Sequence, residues 1–206
     1  GSFRPYEECR DEGQLVVLDS SSDLLKFAAR HPTVFISHQW LGNRAPDPDG
    51  VQYAAALEAC ELLCDKAGVS PEELYLWLDY TSIPQRNLTL QMLSIDSLPL
   101  YAANSAFFII IAPDVQTAGL GERAFSIDTY RARGWCRLEQ FARISQRDVD
   151  GMYQCQGPRG QLMAMKDDPR ACENLVLTSK PPALDPSDLR DATPKPLAAD
   201  PWTSAS

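Results

Sequence analysis

Ala106-Phe-Phe-Ile-Ile-Ile-Ala112 is the stretch on which the fold turns. Seven apolar residues in a row, β-branched at the centre, predict a strand buried on both faces. With Pro113 it is also the longest fully apolar run, far too short to span a bilayer. Thr33-Val-Phe-Ile-Ser37 and Leu74-Tyr-Leu-Trp-Leu-Asp79 predict two more strands, and Gln14-Leu-Val-Val-Leu-Asp19 a further short one. Between them lie helical patterns. Ser20 to Asp23 offers N-caps for a helix through Arg30, and Val51 to Ala67 is Ala- and Leu-rich and closed by Gly68. Ser70-Pro-Glu-Glu73 has capping-box chemistry. Thr89 to Ala103 reads as a helix that Pro99 must kink, shift or end, and Arg133 to Arg147 as an amphipathic helix. Apolar strands alternating with helices predict an α/β fold with a mainly parallel sheet.

Beyond Gly151 the pattern weakens. Met152 to Cys155 and Leu175 to Leu177 are short strand candidates. From Lys180 onward six prolines and little apolar content predict an extended tail. The chain divides into an N-terminal extra strand and helix over 1–32, a core over 33–150 and a C-terminal extension over 151–206.

The chain has 206 residues, 19 basic against 28 acidic, a formal net charge of −9 and a pI of about 4.7. At 44% hydrophobic it is rich enough to fold around a core. The acidic balance argues against nucleic acid or an anionic membrane surface as partner. No signal peptide opens the sequence, and Gly1-Ser2 reads as a cloning scar on an excised piece of a longer protein. The six cysteines, at 9, 60, 64, 136, 155 and 172, are expected as reduced thiols in a cytoplasmic domain. No CxxC pair occurs and there are two histidines, His31 and His38, so no metal site is expected.

In a parallel sheet, ligands bind beyond the carboxyl ends of the strands. Ser37-His-Gln-Trp40, Asp79-Tyr-Thr-Ser82 and Pro113-Asp114 fall there. Trp135 and Glu139, four apart, share a helix face, with Leu138, Phe141 and Ala142 as packing positions. Glu139 is either a site carboxylate beside an indole or a solvated glutamate beside a core tryptophan. Trp40 either stacks on a ring or forms a hydrophobic lid. Asp79 either serves a ligand or caps the turn that follows it. Cys136 with His38 would be a nucleophile and base, but a cysteine after Trp on a helix is usually packed. Ser37 and His38 cannot form a triad, because adjacent strand residues face opposite ways. No P-loop or GxGxxG sequence exists.

Val34-Phe-Ile-Ser37, Leu76-Trp-Leu-Asp79, the Ala102–Pro113 stretch and Tyr130-Arg-Ala-Arg-Gly-Trp-Cys-Arg-Leu-Glu139 together resemble a TIR (Toll/interleukin-1 receptor/resistance) domain over about residues 33–147. The last piece is similar to the family's S-x-W-C-x-x-E motif, with Arg133 in place of the usual Ser. Leu76-Trp-Leu-Asp-Tyr-Thr-Ser-Ile-Pro-Gln85 also resembles the W-I-D-x-x-C-I-N-Q stretch of fungal heterokaryon-incompatibility domains, regarded as TIR-related.

The resemblance implies a flavodoxin-like, three-layer TIR-type sandwich. It implies an NAD+ glycohydrolase, in some members a cyclase, with Glu139 as catalytic carboxylate and NAD+ as substrate rather than a tightly bound cofactor. Trp135 would line the pocket, and Ser37, His38, Gln39, Trp40 and Asp79 would border it. The alternative it implies is a non-catalytic module that self-associates or docks other TIR-like domains in innate-immune signalling. Six arginines, at 123, 131, 133, 137, 143 and 147, crowd residues 114–150, a segment of zero net charge. Arg131 and Arg133 are candidate phosphate ligands, arginine being suited to bidentate contacts. Arg143 and Arg147 are expected on a solvated helix face.

Overall fold

The computed structural model describes residues 1–117, 123–157 and 162–168. In chain order the elements are α1 (Tyr6–Asp11), α2 (Ser21–Ala28), β1 (Thr33–His38), α3 (Val51–Ala67), a 3-10 turn at Pro71–Glu73, β2 (Tyr75–Trp77), α4 (Asp79–Ser82) and α5 (Leu88–Asn104). Then follow β3 (Phe107–Ile111), β4 (Val115–Thr117), β5 (Arg123–Phe125), α6 (Ile127–Ala132), α7 (Gly134–Arg147), β6 (Met152–Cys155), β7 (Met163–Ala164) and a 3-10 turn at Met165–Asp167.

The central sheet has the order β2-β1-β3-β6-β7. The first four strands are parallel and β7 runs antiparallel to β6. β4 and β5 form a separate antiparallel ribbon. This mixed α/β arrangement is compatible with a flavodoxin-like fold, whose order likewise reverses between the first and third strands. The sheet runs past residue 150, because β6 lies against β3.

Alternation along the strands sorts the core into two halves. Val34, Ile36, Ile109 and Ile111 face α3, packing on Ala55, Ala59 and Leu63. Phe35, Phe108 and Ile110 face the other way, onto Leu98 and Ala102 of α5, Tyr130 of α6 and Cys136 of α7. Small alanines on α3 let that helix lie close to the sheet.

Local signals explain several boundaries. The Ser20 side chain accepts from Asp23 N–H to start α2, and Asn87 accepts from Leu90 N–H to start α5. Gly68 closes α3 at φ +65°. α5 continues through Pro99. Ser70 makes no N-cap bond; its hydroxyl bonds Glu72 instead, and only one 3-10 turn forms.

Three expectations are corrected. Gln14–Asp19 forms no strand: it passes beside β2 without a ladder, and Val16 and Val17 stay exposed. Leu138 and Phe141 are exposed at 38% and 41%, because the buried face of α7 is formed by Cys136, Glu139, Gln140 and Arg143. Arg143 is 1% exposed rather than solvated. Its guanidinium donates to the carbonyls of Ser105, Ala106 and Asp150, gathering the end of α5 and the approaches to β3 and β6. Burial lowers its pKa to about 10, with Arg147 adding to the effect. Gly151, at φ +69°, is required beside it: a Cβ there would lie 2.9 Å from the Ala106 carbonyl oxygen. The Leu175–Leu177 candidate and the Pro-rich stretch after 180 lie outside the described residues.

Candidate functional site

β1 ends in Ser37 and His38 next to the point between β1 and β3 where the sheet order reverses. Strand alternation sends the two side chains to opposite faces, and each starts a separate polar cluster.

On one face, Ser37 meets α6 and α7. Its hydroxyl donates to Oε2 of Glu139, 102 residues further along the chain. The Tyr130 hydroxyl lies 2.6 Å from Ser37 Oγ. With the serine proton directed to Glu139, Tyr130 is the donor in that second bond. Ser37, Tyr130 and Glu139 are 1%, 0% and 7% exposed. Burial pushes the Glu139 pKa up to about 8; the Ser37 bond pulls against this and the Asp79 carboxylate adds to it. Burial also lifts the Tyr130 phenol well above its ordinary value, so it remains a neutral donor.

On the other face, His38 meets α3 and α4. Its Nδ1 is 2.8 Å from Gln52 Oε1, and its Nε2 is 2.8 Å from Asp79 Oδ1. Asp79 Oδ2 accepts from Trp40 Nε1 at 2.7 Å, and Oδ1 also accepts from Tyr80 N–H at 2.6 Å. The Trp40 ring stands edge-on to Tyr80, centroids 5.8 Å apart, and the Phe3 ring lies 5.5 Å from His38. Burial opposes charge on His38, yet Asp79 and the hydrogen bonds raise its pKa. Burial likewise opposes charge on Asp79, and His38, Trp40 and Tyr80 lower it. Asp79 is the first residue of α4 rather than its N-cap, and its carboxylate accepts the Tyr80 N–H of that first turn. Leu78 occupies the N-cap of α4 with no side-chain cap bond, and the Asp79 carboxylate is occupied by His38 and Trp40.

The remaining candidates are placed less centrally. Gln39 is buried, and its amide donates to Ser126 O at 3.1 Å and Thr129 Oγ1 at 3.0 Å, tying the loop after β1 to α6. Trp135 is 37% exposed. Arg133 is exposed, in extended backbone between α6 and α7. Arg131 reaches Asp168 at 3.5 Å and Gln154 at 3.4 Å. Cys136 is packed, 2% exposed with Sγ 3.8 Å from the His38 carbonyl oxygen. Burial and the nearby Glu139 charge raise its pKa well above the thiol range, so it carries no thiolate for nucleophilic attack.

Sequence reasoning missed Tyr130 and Gln52. Tyr130 was within the quoted motif, but nothing local announced that α6 would turn its hydroxyl onto Ser37. Gln52 lies on a helix read as apolar packing.

Among the described residues, no group of three His, Cys, Asp or Glu converges as metal ligands would. No described helix is long and apolar enough to cross a membrane. A cavity of about 720 Å³ lies beside the outer edge of β2, lined by Leu15, Val16, Leu76, Leu90, Leu93 and Tyr101 among others, and touches none of the site candidates. No protein-family model matches the chain, and no curated protein or solved structure matches it. The functional reading therefore rests on the side chains.

What they can do follows from their chemistry. Glu139 is a carboxyl poised between charge states near neutral pH, beside a sheet's switch point, with a hydroxyl relay on one oxygen. Such a group suits proton transfer, or stabilisation of positive charge developing on a substrate. Trp40 is a partly exposed aromatic surface whose indole N–H is held by a carboxylate.

Proposed function

We propose that the chain is a divergent TIR-like NAD+ glycohydrolase (an NAD+ nucleosidase) in which Glu139 is the catalytic carboxylate. The observation that carries this reading is the Glu139 carboxyl itself: buried beside the end of β1, bonded to Ser37 and held up to a pKa of about 8. In this reaction the bond between ribose C1′ and the pyridinium nitrogen breaks. Its electron pair goes to the nitrogen, so nicotinamide leaves neutral and needs no acid. Positive charge passes to the ribosyl carbon, and an ionised carboxylate nearby stabilises it. Water then adds to C1′ and releases a proton, or a nitrogen of the same nucleotide adds and closes a ring.

Glu139 is mostly protonated at rest. A bound pyridinium cation would favour its ionised form and lower its pKa, so the substrate itself would charge the catalyst. Trp40 offers a stacking surface, and Arg133 is an exposed cation for the pyrophosphate. Assembly with further copies or other TIR-like domains, in the cytoplasm and in a signalling context, belongs to the same reading.

The second reading, a non-catalytic self-association module, is favoured by one observation. Glu139 and Ser37 are almost closed to solvent at 7% and 1% exposure. Nicotinamide release from NAD+, followed with the wild type and Glu139→Ala under dilute and crowded conditions, separates the two. Release lost in the variant supports the enzyme. Silence of both, together with concentration-dependent light scattering, supports the module.

A further inference from the structure

The protonation state of His38 can be deduced from its neighbours. The Gln52 amide donates from Nε2 to the Gln39 carbonyl oxygen at 2.8 Å. A carbonyl oxygen only accepts, so this bond fixes which end of the amide is which. The Gln52 oxygen must therefore be the atom 2.8 Å from His38 Nδ1, and that nitrogen must carry a proton. The other ring nitrogen faces Asp79 Oδ1 at 2.8 Å, and two independent donors, the Trp40 indole and the Tyr80 N–H, hold the Asp79 carboxylate ionised. Both ring nitrogens thus face acceptors, and only an imidazolium satisfies both.

From Asp79 the chain of contacts continues outward. The carboxylate oxygen not facing His38 accepts from the Trp40 indole at 2.7 Å. The His38 side chain is 2% exposed and that of Asp79 is 27%. The cation is therefore anchored inside, while its partner reaches the rim where Trp40 lies partly exposed.

We propose that His38 is a positioning residue: held as an imidazolium between Gln52 and Asp79, it fixes the carboxylate that clamps the Trp40 indole, presetting an aromatic surface for a ring of the substrate. The inference deepens the proposed function, on which its substrate half rests; the protonation and the clamp stand without it. The groups facing His38 are Asp79 from α4, Gln52 from α3, Glu139 and Cys136 from α7, and the Phe3 ring. Ionised Glu139 would reinforce the cation. Cys136 is neutral and Phe3 carries no charge, so none of the set opposes it.

The test is nitrogen-15 NMR of the whole chain, reading the His38 ring and the Trp40 indole N–H. At about pH 7, above the ordinary imidazole value, both His38 ring nitrogens are expected to be protonated. In His38→Gln, hydrogen exchange of the Trp40 indole is expected to quicken about tenfold, as a bond to a carboxylate loosens. Asp79→Asn keeps an acceptor for the indole but loses the charge, and is expected to lower the His38 pKa, because burial then opposes the cation without its counter-charge. If NAD+ is cleaved, His38→Gln raises KM about tenfold with a smaller change in kcat.

A His38 ring neutral at about pH 7 in the folded wild type would overturn the proposal, whether or not any variant folds. Unchanged indole exchange in a folded His38→Gln would overturn the clamp. Absence of nicotinamide release would sink the enzymatic reading while leaving both NMR results to stand or fall separately.

Discussion

The Glu139 carboxyl on α7 accepts a hydrogen bond from the Ser37 hydroxyl at the end of β1, and Tyr130 of α6 closes the same group 2.6 Å from Ser37. Three elements thus converge on one buried carboxyl, whose proton becomes a measurable property of the fold.

Glu139→Gln tests that carboxyl for stability and activity together. An acid whose pKa rises from 4.5 unfolded to about 8 folded keeps a proton that the unfolded chain releases. Its contribution to stability is therefore greatest below 4.5, falls as pH rises toward about 8, and is flat beyond. The glutamine variant lacks this slope. Denaturant unfolding should show it more stable than wild type at about pH 8, by on the order of 2–4 kcal/mol, with the gap closing toward about pH 5. Nicotinamide release should fall about a hundredfold or more, as when a group stabilising transition-state charge is removed.

Asp79→Asn should destabilise the fold most in the middle of the pH range. Asp79 has a lowered folded pKa, so its contribution is complete above the unfolded value of 3.8 and is lost as pH falls through the folded one. His38 has a raised folded pKa, so its contribution is complete below 6.5 and is lost as pH rises through the folded one. The asparagine variant should lose about 2–3 kcal/mol near pH 6, between those limits, in a buried pair with one partly exposed member. Melting curves from acid to alkali should be flatter than those of the wild type.

Arg143→Lys should cost about 2–4 kcal/mol by denaturant unfolding, because lysine's single nitrogen replaces two guanidinium nitrogens, one bonding the Ser105 carbonyl and the other those of Ala106 and Asp150. Arg143→Met should cost at least as much, leaving those carbonyls unpaired. Arg147→Met, on an exposed residue one turn away, should change stability by less than about 0.5 kcal/mol.

Tyr130→Phe removes only the hydroxyl 2.6 Å from Ser37, at a site with no solvent to replace it. A loss of about 1–3 kcal/mol is expected. The ring itself stays packed among Phe35, Phe108 and Ile110, so circular dichroism should be unchanged. A variant as stable as wild type would mean the bond contributes nothing net.

Much of the sheet was legible because its strands are apolar on both faces. Thr33–Ser37 falls within β1, Ala106–Ala112 contains β3, Met152–Cys155 matches β6, and Val51–Ala67 is a helix with the predicted bounds. Gln14–Asp19 reads like a strand for the same reason but lacks a partner: β-branched residues suit a ladder, and no neighbouring backbone completes one. Leu138, Phe141 and Arg143 were misassigned because an amphipathic pattern does not reveal which face a helix turns inward when buried backbone carbonyls need a donor. The carbonyls before β3 and β6 are such acceptors, and they hold Arg143 inside.

The sequence alone determined that this chain folds as alternating strands and helices, and that Ser37, His38, Trp40 and Asp79 gather at the carboxyl ends of strands. Both follow from hydrophobic period and strand direction, which are local. Only the tertiary structure decided which of these residues bond one another. Ser37 turned to Glu139 and His38 to Asp79 because neighbouring residues of β1 point to opposite faces and meet different helices. The charge states of Glu139 and His38 are set by burial and by partners up to 102 residues away, which no reading of neighbours along the chain can supply.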